Sequence, residues 1–176
     1  MRLAQLRHYI DHNVIDGVTT VPRHSEWRTA ALALPYATAA LVLGLGSGLL
    51  TPGWPALWEL AVIPPLLVLY PSLIEEVIFR GLLVPRSLAH ASMRRKALAV
   101  SASTVLFVVM HPLNHWLVGL SDTSDFTDPI FLAIVTLLGV TCAIQRLRSA
   151  SLWFPIATHW ATVVAWNLFL GRDLTI

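Results

Sequence analysis

The chain has 176 residues, of which 56% are hydrophobic and only 12% are charged, and its mean hydropathy is +0.67. An ordinary soluble domain carries about 25% charged residues, so this chain has too little polar side chain to cover a water-facing surface. Its formal net charge of +2 gives no reason to expect nucleic acid as a partner, and its single cysteine, Cys142, excludes an internal disulfide. The composition therefore predicts an integral membrane protein.

The chain divides into a charged N-terminal segment and five apolar stretches. Residues 1–28 contain seven charged side chains and no long apolar run, so we expect a cytoplasmic or interfacial segment there. We interpret each apolar stretch that follows as one transmembrane helix. Their predicted bounds are Ala30–Leu50, Leu57–Phe79, Ala97–Leu117, Ile130–Ile144 and Leu152–Leu170. Residues 29–176 are thus predicted to form a single all-α domain, a polytopic membrane helix bundle of about five transmembrane helices.

The second stretch contains prolines that a regular helix does not accept. Pro64, Pro65 and Pro71 lie inside it. A proline in a helix interior removes a hydrogen bond and clashes with the preceding turn. We therefore expect this helix to be kinked or broken.

Basic residues indicate how the bundle lies in the membrane. All of the 12 Lys and Arg residues except Arg172 fall before the first stretch, between the second and third, or between the fourth and fifth. Cytoplasmic flanks collect Lys and Arg, which predicts a cytoplasmic N-terminus and places Arg80 at the inner membrane edge. The opposite side receives an acidic loop with Asp122, Asp125 and Asp128.

Several ionisable side chains lie within the predicted helices. Each would cost about 2.5 to 3.5 kcal/mol near the centre of a bilayer, so a retained one needs a reason. Those that we single out are Glu75, Glu76, His111, His115 and His159. Arg80 follows Glu76 by four residues, which favours an ion pair on one helical face. The adjacent Glu75 then points elsewhere, because neighbouring residues lie about 100° apart on a helix.

A carboxylate left free in this way can take part in catalysis. In a cavity shared with His111 and His159, Glu75 can hold one water molecule and remove its proton. A second histidine or the amide of Asn167 can then donate to the oxyanion that forms on an attacked carbonyl. Such a site performs acyl transfer without Ser, Cys or metal, and it favours hydrolysis of a peptide bond.

Each of these residues also has a purely structural interpretation. Ser72 and Glu75 fit a capping box after the break at Pro71, in which Glu75 would only begin a helix. The pair formed by Glu76 and Arg80 would anchor a helix at the interface. A lone membrane histidine, such as His115, often only hydrogen-bonds between helices.

Three motifs resemble those of a known family. Residues 75–81, Glu-Glu-Val-Ile-Phe-Arg-Gly, resemble the E-E-x-x-F-R-G signature of the CPBP family, the CAAX-processing and bacteriocin-processing glutamic intramembrane proteases. Residues 107–111, Phe-Val-Val-Met-His, resemble its F-x-x-x-H second motif, in which Phe107 would support the site. His159 is similar to the histidine of its final motif. The three occur in the family's order on separate predicted helices.

The resemblance implies an intramembrane endopeptidase that needs no cofactor and lies in the bacterial inner (plasma) membrane. Its partners would be the bilayer and a membrane-associated protein or peptide substrate, with or without a lipid. Carried over to this chain, Glu75 with His111 activates water, while Glu76 with Arg80 orients and braces the site. His159 would help to stabilise the oxyanion.

One position departs from the family's pattern. The family commonly has Asn four residues after the final histidine, where this chain has Val163. Asn167 lies four residues further on, about one helical turn deeper on a similar face. Its assignment as an oxyanion donor is therefore an expectation to compare with the structure.

Two other kinds of function remain open at this point. A zinc-dependent membrane protease would use Glu75, His111 and either His159 or His115 as ligands, although the chain lacks H-E-x-x-H and Arg80 would repel a cation. A non-catalytic binding or immunity protein with the same fold, or a small proton-coupled carrier, would keep the acids without hydrolysis. No residue in the sequence selects a particular substrate.

Overall fold

The computed structural model describes residues 3–23, 26–118 and 126–171. Throughout these ranges the chain is helical apart from short connections, and no β-strand forms within them. Asp122, Asp125 and Arg172, which contributed to the prediction of orientation, lie outside the described residues. The cytoplasmic position of the N-terminus stays a prediction.

The N-terminal segment forms a helix, which we call α1. It is α-helical over Leu3–Ile10 and Asp16–Thr19, with a π-helical stretch over Asp11–Ile15 between them. Asn13 and Gly17 are buried against the rest of the protein. The segment that we expected to be cytoplasmic or interfacial is thus a helix that packs against one end of the bundle.

Four helices in the described part of the chain are long and apolar enough to cross a membrane. We call them α2 (Trp27–Ser47), α3 (Leu57–Leu82), α4 (Met93–Leu117) and α5 (Pro129–Ser149). They correspond to the first four predicted stretches, and the largest shift is at the end of α5, which continues from Ile144 to Ser149. A short 3-10 helix, Arg86–His90, joins α3 to α4. The predicted all-α membrane helix bundle is confirmed.

The fifth predicted stretch is also helical, and we call it α6. It comprises Trp153–Ala165 and a π-helical end, Trp166–Leu170. Beside α1, the backbone N–H of Leu152 donates to Gly17 O at 2.9 Å, and at the other end of the bundle Thr51 N donates to Leu170 O at 2.8 Å. α6 therefore runs the full height of the bundle, in agreement with about five transmembrane helices.

The proline-rich helix α3 is broken, as its sequence predicts. An α-helical part, Leu57–Leu67, is followed by a π-helical part, Val68–Leu73, in which Tyr70 has the non-helical angles φ −138° and ψ 126°. The next residue is Pro71, whose ring disfavours a helical conformation in the residue before it. The helix resumes at Ile74–Glu76, so the two adjacent glutamates stand directly after the break.

Helix α5 is the interior helix of the bundle and packs against α2, α4 and α6. In the membrane-spanning part of α5, 50% of the residues are buried inside the protein, compared with 11–17% in the other three helices. Its Ile134, Val135 and Leu138 join Phe79 and Phe107 in one hydrophobic core. Because the outer helices bury so little, their apolar faces point towards lipid.

Exposed tryptophans lie near both ends of the bundle. Trp27 and Trp153 stand where α2 and α6 begin, and Trp54, Trp58 and Trp116 stand at the opposite end, where α3 begins and α4 ends. Tryptophan is enriched at both membrane–water interfaces, where its ring meets the lipid headgroups. Their places at the two ends of the helices fit a bundle that crosses a bilayer.

Candidate active site

The predicted catalytic residues come from three helices and meet at one place. Glu75 and Glu76 follow the break in α3, His111 lies on α4 and His159 lies on α6. Glu75, His111 and His159 line one cavity of about 270 Å³ between these helices. Glu76 lies behind the cavity wall and is completely buried.

His159 contacts both glutamates. Its Nδ1 atom lies 2.9 Å from Glu76 Oε1, and its Nε2 atom lies 3.8 Å from Glu75 Oε2. An ionised carboxylate only accepts hydrogen bonds, so Nδ1 is the donor to Glu76, and this bond orients the ring. His159 is therefore held from behind, and its Nε2 edge faces the carboxylate in the cavity.

Glu76 and Arg80 form the predicted ion pair. Glu76 Oε1 accepts from Arg80 Nη1 at 2.9 Å, and both side chains are 0% exposed. Arg80 Nη2 also donates to Gly139 O at 3.0 Å, and the guanidinium carbon lies 4.3 Å from the centre of the Phe107 ring. A buried ion pair needs such additional partners to offset its desolvation.

The position of Arg80 at the inner membrane edge stays a prediction, but its side chain does not face water there. Its side chain is completely buried inside the bundle. Glu76, a backbone carbonyl and an aromatic face together replace the water that a guanidinium would otherwise need. A basic residue with this set of partners does not have to reach the aqueous interface.

Phe107 stands at the centre of the site, as the second motif implies. Its ring meets His111 edge-on at a centroid distance of 5.0 Å, His159 at 5.6 Å and Phe79 at 5.2 Å. Its backbone carbonyl accepts a hydrogen bond from His111 Nδ1 at 2.8 Å. Because a carbonyl only accepts, a neutral His111 carries its proton on Nδ1 and leaves Nε2 free to act as a base.

The capping box expected at Ser72 and Glu75 does not form. The Ser72 hydroxyl is buried and has no hydrogen-bond partner in the described part of the chain. The Glu75 side chain lines the cavity instead. The purely structural interpretation of Glu75 therefore lacks the bonds that it requires.

Asn167 lines the cavity, but its amide is engaged elsewhere. The Nδ2 atom donates to Val163 O at 2.8 Å, and the residue is exposed. Val163 lines the same wall with an apolar side chain. His115 does not line this cavity.

Sequence reasoning missed Gly139, which holds Arg80 through its carbonyl. A Cβ atom at this position would lie 2.9 Å from Thr104 Cγ2 and 3.4 Å from both Arg80 Nη2 and Phe107 Cδ1. An isolated glycine in an apolar helix is the available signal for such a close approach, and it is a weak one. Asn114, which also lines the cavity, was missed as well.

The donor set around the cavity was compared with that of a metal site. Among the residues that the structure describes, no three His, Cys, Asp or Glu side chains are placed to hold a metal ion. Two donors are already engaged, because Glu76 pairs with Arg80 and His111 Nδ1 bonds a carbonyl. The zinc-site hypothesis therefore has no arrangement of ligands to support it in this part of the chain.

Comparison with known proteins gives one match. The family model described as type II CAAX prenyl endopeptidase Rce1-like matches residues 55–165. This range is more than half of the chain and contains the glutamate pair, Arg80 and both cavity histidines. No curated protein and no solved structure matches the chain. The chain therefore belongs to the Rce1-like type II CAAX prenyl endopeptidases of the CPBP family, a family of integral membrane proteases.

Proposed function

We propose that the protein is an intramembrane endopeptidase that hydrolyses peptide bonds through a water molecule activated by glutamate and histidine. One observation carries the proposal. The Glu75 carboxylate, 3.8 Å from His159 Nε2, opens onto the same cavity as His111. Ionisable groups from three helices converge there, although each such group is costly inside a membrane.

In the proposed reaction, Glu75 and His111 hold the attacking water between them. The unprotonated Nε2 of His111 or the carboxylate of Glu75 takes a proton as the water oxygen bonds to the scissile carbonyl carbon. The same group then returns the proton to the leaving amine as the C–N bond breaks. The products are a carboxylic acid and an amine, which together contain every atom of the peptide bond and the water, so no further reactant is required.

His159 and the groups behind it have a supporting role in this reaction. When Nε2 of His159 carries a proton, it can donate to the developing oxyanion. Glu76 holds the opposite nitrogen of the ring at 2.9 Å, and Arg80 holds Glu76 at the same distance. Because both are completely buried, this support does not depend on solvent.

The family acts on membrane-associated prenylated proteins, and we propose a membrane-associated protein or peptide substrate for this chain. We place the protein in the bacterial inner membrane, with the N-terminus in the cytoplasm on the side of the basic flanks. Polar groups at membrane depth must face protein or a water-filled cavity. We therefore propose that the scissile peptide bond enters this cavity to meet the catalytic groups.

The proposal is tested with purified protein in lipid vesicles and a library of membrane-tethered peptides, with mass spectrometry of the products. Glu75→Gln keeps the shape of the side chain but removes the carboxylate, and we expect it to lower cleavage by about 10²- to 10⁴-fold. Glu59→Gln is the matched control, because Glu59 is a buried glutamate of the same helix whose oxygen accepts from Ala56 N at 2.7 Å, as a glutamine can. Its cleavage rate should stay unchanged.

Three results would contradict the proposed mechanism. Equal cleavage by Glu75→Gln and the unmodified protein would exclude Glu75 as the activating group. Inhibition by a chelator that Zn²⁺ reverses would favour the zinc-dependent alternative. Tight binding of peptides without any cleavage would favour a non-catalytic binding protein.

A further inference from the structure

The site described so far lacks a clear neutral donor for the oxyanion. Hydrolysis of an amide develops negative charge on the carbonyl oxygen, and enzymes place one or two fixed donors there. At the position where the family commonly has Asn, this chain has Val163, which cannot donate. Asn167 already donates its Nδ2 to Val163 O at 2.8 Å.

Two hydroxyl groups near the cavity are no better placed. The Thr162 hydroxyl donates to Thr158 O at 2.8 Å, inside its own helix. The Tyr36 hydroxyl is completely buried, so a ligand in the cavity does not reach it. A donor for the carbonyl oxygen has to come from another residue of the cavity wall.

Asn114 has the properties of that donor. It is partly buried and lines the cavity together with Glu75, His111 and His159. It follows His111 by three residues on α4, so the two side chains share one helical face about 4.5 Å apart along the axis. Among the residues that the structure describes, the Asn114 amide makes no hydrogen bond.

The Asn114 amide is open to a ligand in the cavity. The rest of the cavity wall is largely apolar or aromatic and offers the amide few protein partners. Asn167 on α6 already uses one of its two N–H groups within its own helix. Asn114 keeps both N–H groups available to whatever occupies the cavity.

We propose that Asn114 is a catalytic residue whose side-chain amide donates a hydrogen bond to the scissile carbonyl oxygen as it becomes an oxyanion. The inference rests on the proposed function, because it assigns the donor for that same reaction. Asn114 would act together with Nε2 of His159, from the α4 wall of the cavity. It would take over the role that the family's usual Asn has on the last helix.

The test measures kcat and KM on a peptide that the unmodified protein cleaves. Asn114→Leu removes the donors, and Asn114→Asp retains the shape but places an acceptor beside the oxyanion. We expect either change to lower kcat by about 10²- to 10³-fold, with KM within about threefold, since the bond strengthens only in the transition state. A peptide phosphinate, which imitates the tetrahedral intermediate, should bind Asn114→Leu more weakly by a similar factor.

Controls separate this role from a structural one. Thr38→Val and Thr136→Val remove hydroxyl groups that lie outside the cavity and donate to carbonyls of their own helices, and both should keep kcat within about threefold of the unmodified protein. Binding of the substrate peptide to the Glu75→Gln background should be the same with and without Asn114→Leu. A general loss of structure would lower that binding as well.

The outcomes also separate the two proposals. If the unmodified protein cleaves no peptide, the proposed function fails. If it cleaves peptides and Asn114→Leu is as active, the function stands and the role of Asn114 is overturned. An equal loss of kcat in Thr38→Val or Thr136→Val, or a rise in KM alone for Asn114→Leu, would also overturn that role.

Discussion

Two arginines are buried in the part of the chain that the structure describes, and their partners differ in kind. Arg80 is 0% exposed and pairs with a carboxylate, Glu76, besides a carbonyl and an aromatic ring. Arg146 is 1% exposed, and its guanidinium donates to two backbone carbonyls, Nη2 to Asn13 O at 2.6 Å and Nη1 to Ala150 O. One arginine therefore belongs to a charge network, whereas the other joins two segments of backbone.

The two sets of partners indicate different roles. Arg80 and Glu76 hold the His159 ring in the proposed catalytic cavity, so their effect is on chemistry. Arg146 links α1 to the turn between α5 and α6, next to the bond from Trp153 Nε1 to Val18 O at 2.7 Å. Its effect is on the docking of α1. Matching substitutions at the two sites should consequently give different phenotypes.

The largest effect is expected for Arg80→Met. It leaves the Glu76 carboxylate buried without a cation, which costs about 3 to 5 kcal/mol in a buried pair. Cleavage should fall with it, because His159 loses part of its support. The double variant Glu76→Gln with Arg80→Met removes both charges and should recover much of the stability but no activity. Thermal unfolding in detergent and peptide cleavage measure the two effects.

Arg146→Met tests the other side of the comparison. We expect faster amide hydrogen exchange in α1, while the remaining helices and the cleavage rate change little, because one lost bond joins α1 to the bundle and the other is local to the end of α5. The matched control is Arg148→Met, on the same helix but exposed. Unchanged exchange in α1 would show that Arg146 does not hold it.

The same comparison shows how far the sequence could predict the structure. The pair of Glu76 with Arg80 follows from a spacing of four residues on one helix, so it could be predicted. The partner of Arg146 on α1, Asn13 O, is 133 positions away, and a carbonyl leaves no mark in a sequence. The rule that places Arg and Lys in cytoplasmic flanks does not concern burial, so it could not predict that the Arg80 side chain is enclosed.

The candidate site was predictable to a similar degree. The motifs identified Glu75, His111 and His159, and the structure brings them to one cavity. Which nitrogen of each histidine is engaged depends on neighbours in three dimensions, and sequence reasoning could not assign it. Gly139 was missed because its contribution is a backbone carbonyl and an absent side chain.

Gly139→Ala is expected to have an intermediate effect on stability and cleavage. It tests whether the position of the Arg80 guanidinium matters as well as its charge. The new Cβ would stand 2.9 Å from Thr104 Cγ2 and 3.4 Å from Arg80 Nη2, so the helices or the guanidinium must shift. Overpacking of this kind costs about 1 to 3 kcal/mol, and cleavage should fall as well. Gly46→Ala is the control, because a Cβ there meets nothing within 4 Å. Equal behaviour of the two variants would contradict the prediction.

The smallest effect is expected at Tyr9, which holds α1 at another point. Its hydroxyl donates to Leu82 O at 2.5 Å, and partial burial raises the pKa of Tyr9 above its usual 10.0, although the nearby Arg146 acts to lower it. A raised pKa in the docked state means that this bond contributes fully below about pH 10 and is lost as the pH rises through the docked-state pKa. Tyr9→Phe should weaken docking by about 1 kcal/mol at neutral pH and remove the alkaline dependence.

Cleavage of α1 by subtilisin, a protease that works in alkali, measures this docking. In the unmodified protein the rate of α1 cleavage should be higher at about pH 11 than at about pH 8, by more than the protease's own pH dependence explains. In Tyr9→Phe the rate at about pH 8 should already be higher, and it should show no additional rise. Arg146→Met provides the upper limit, since its α1 is expected to be released at both pH values. An equal alkaline rise in the unmodified protein and in Tyr9→Phe would mean that another group controls the docking, and that the Tyr9 hydroxyl adds nothing to the attachment made by Arg146.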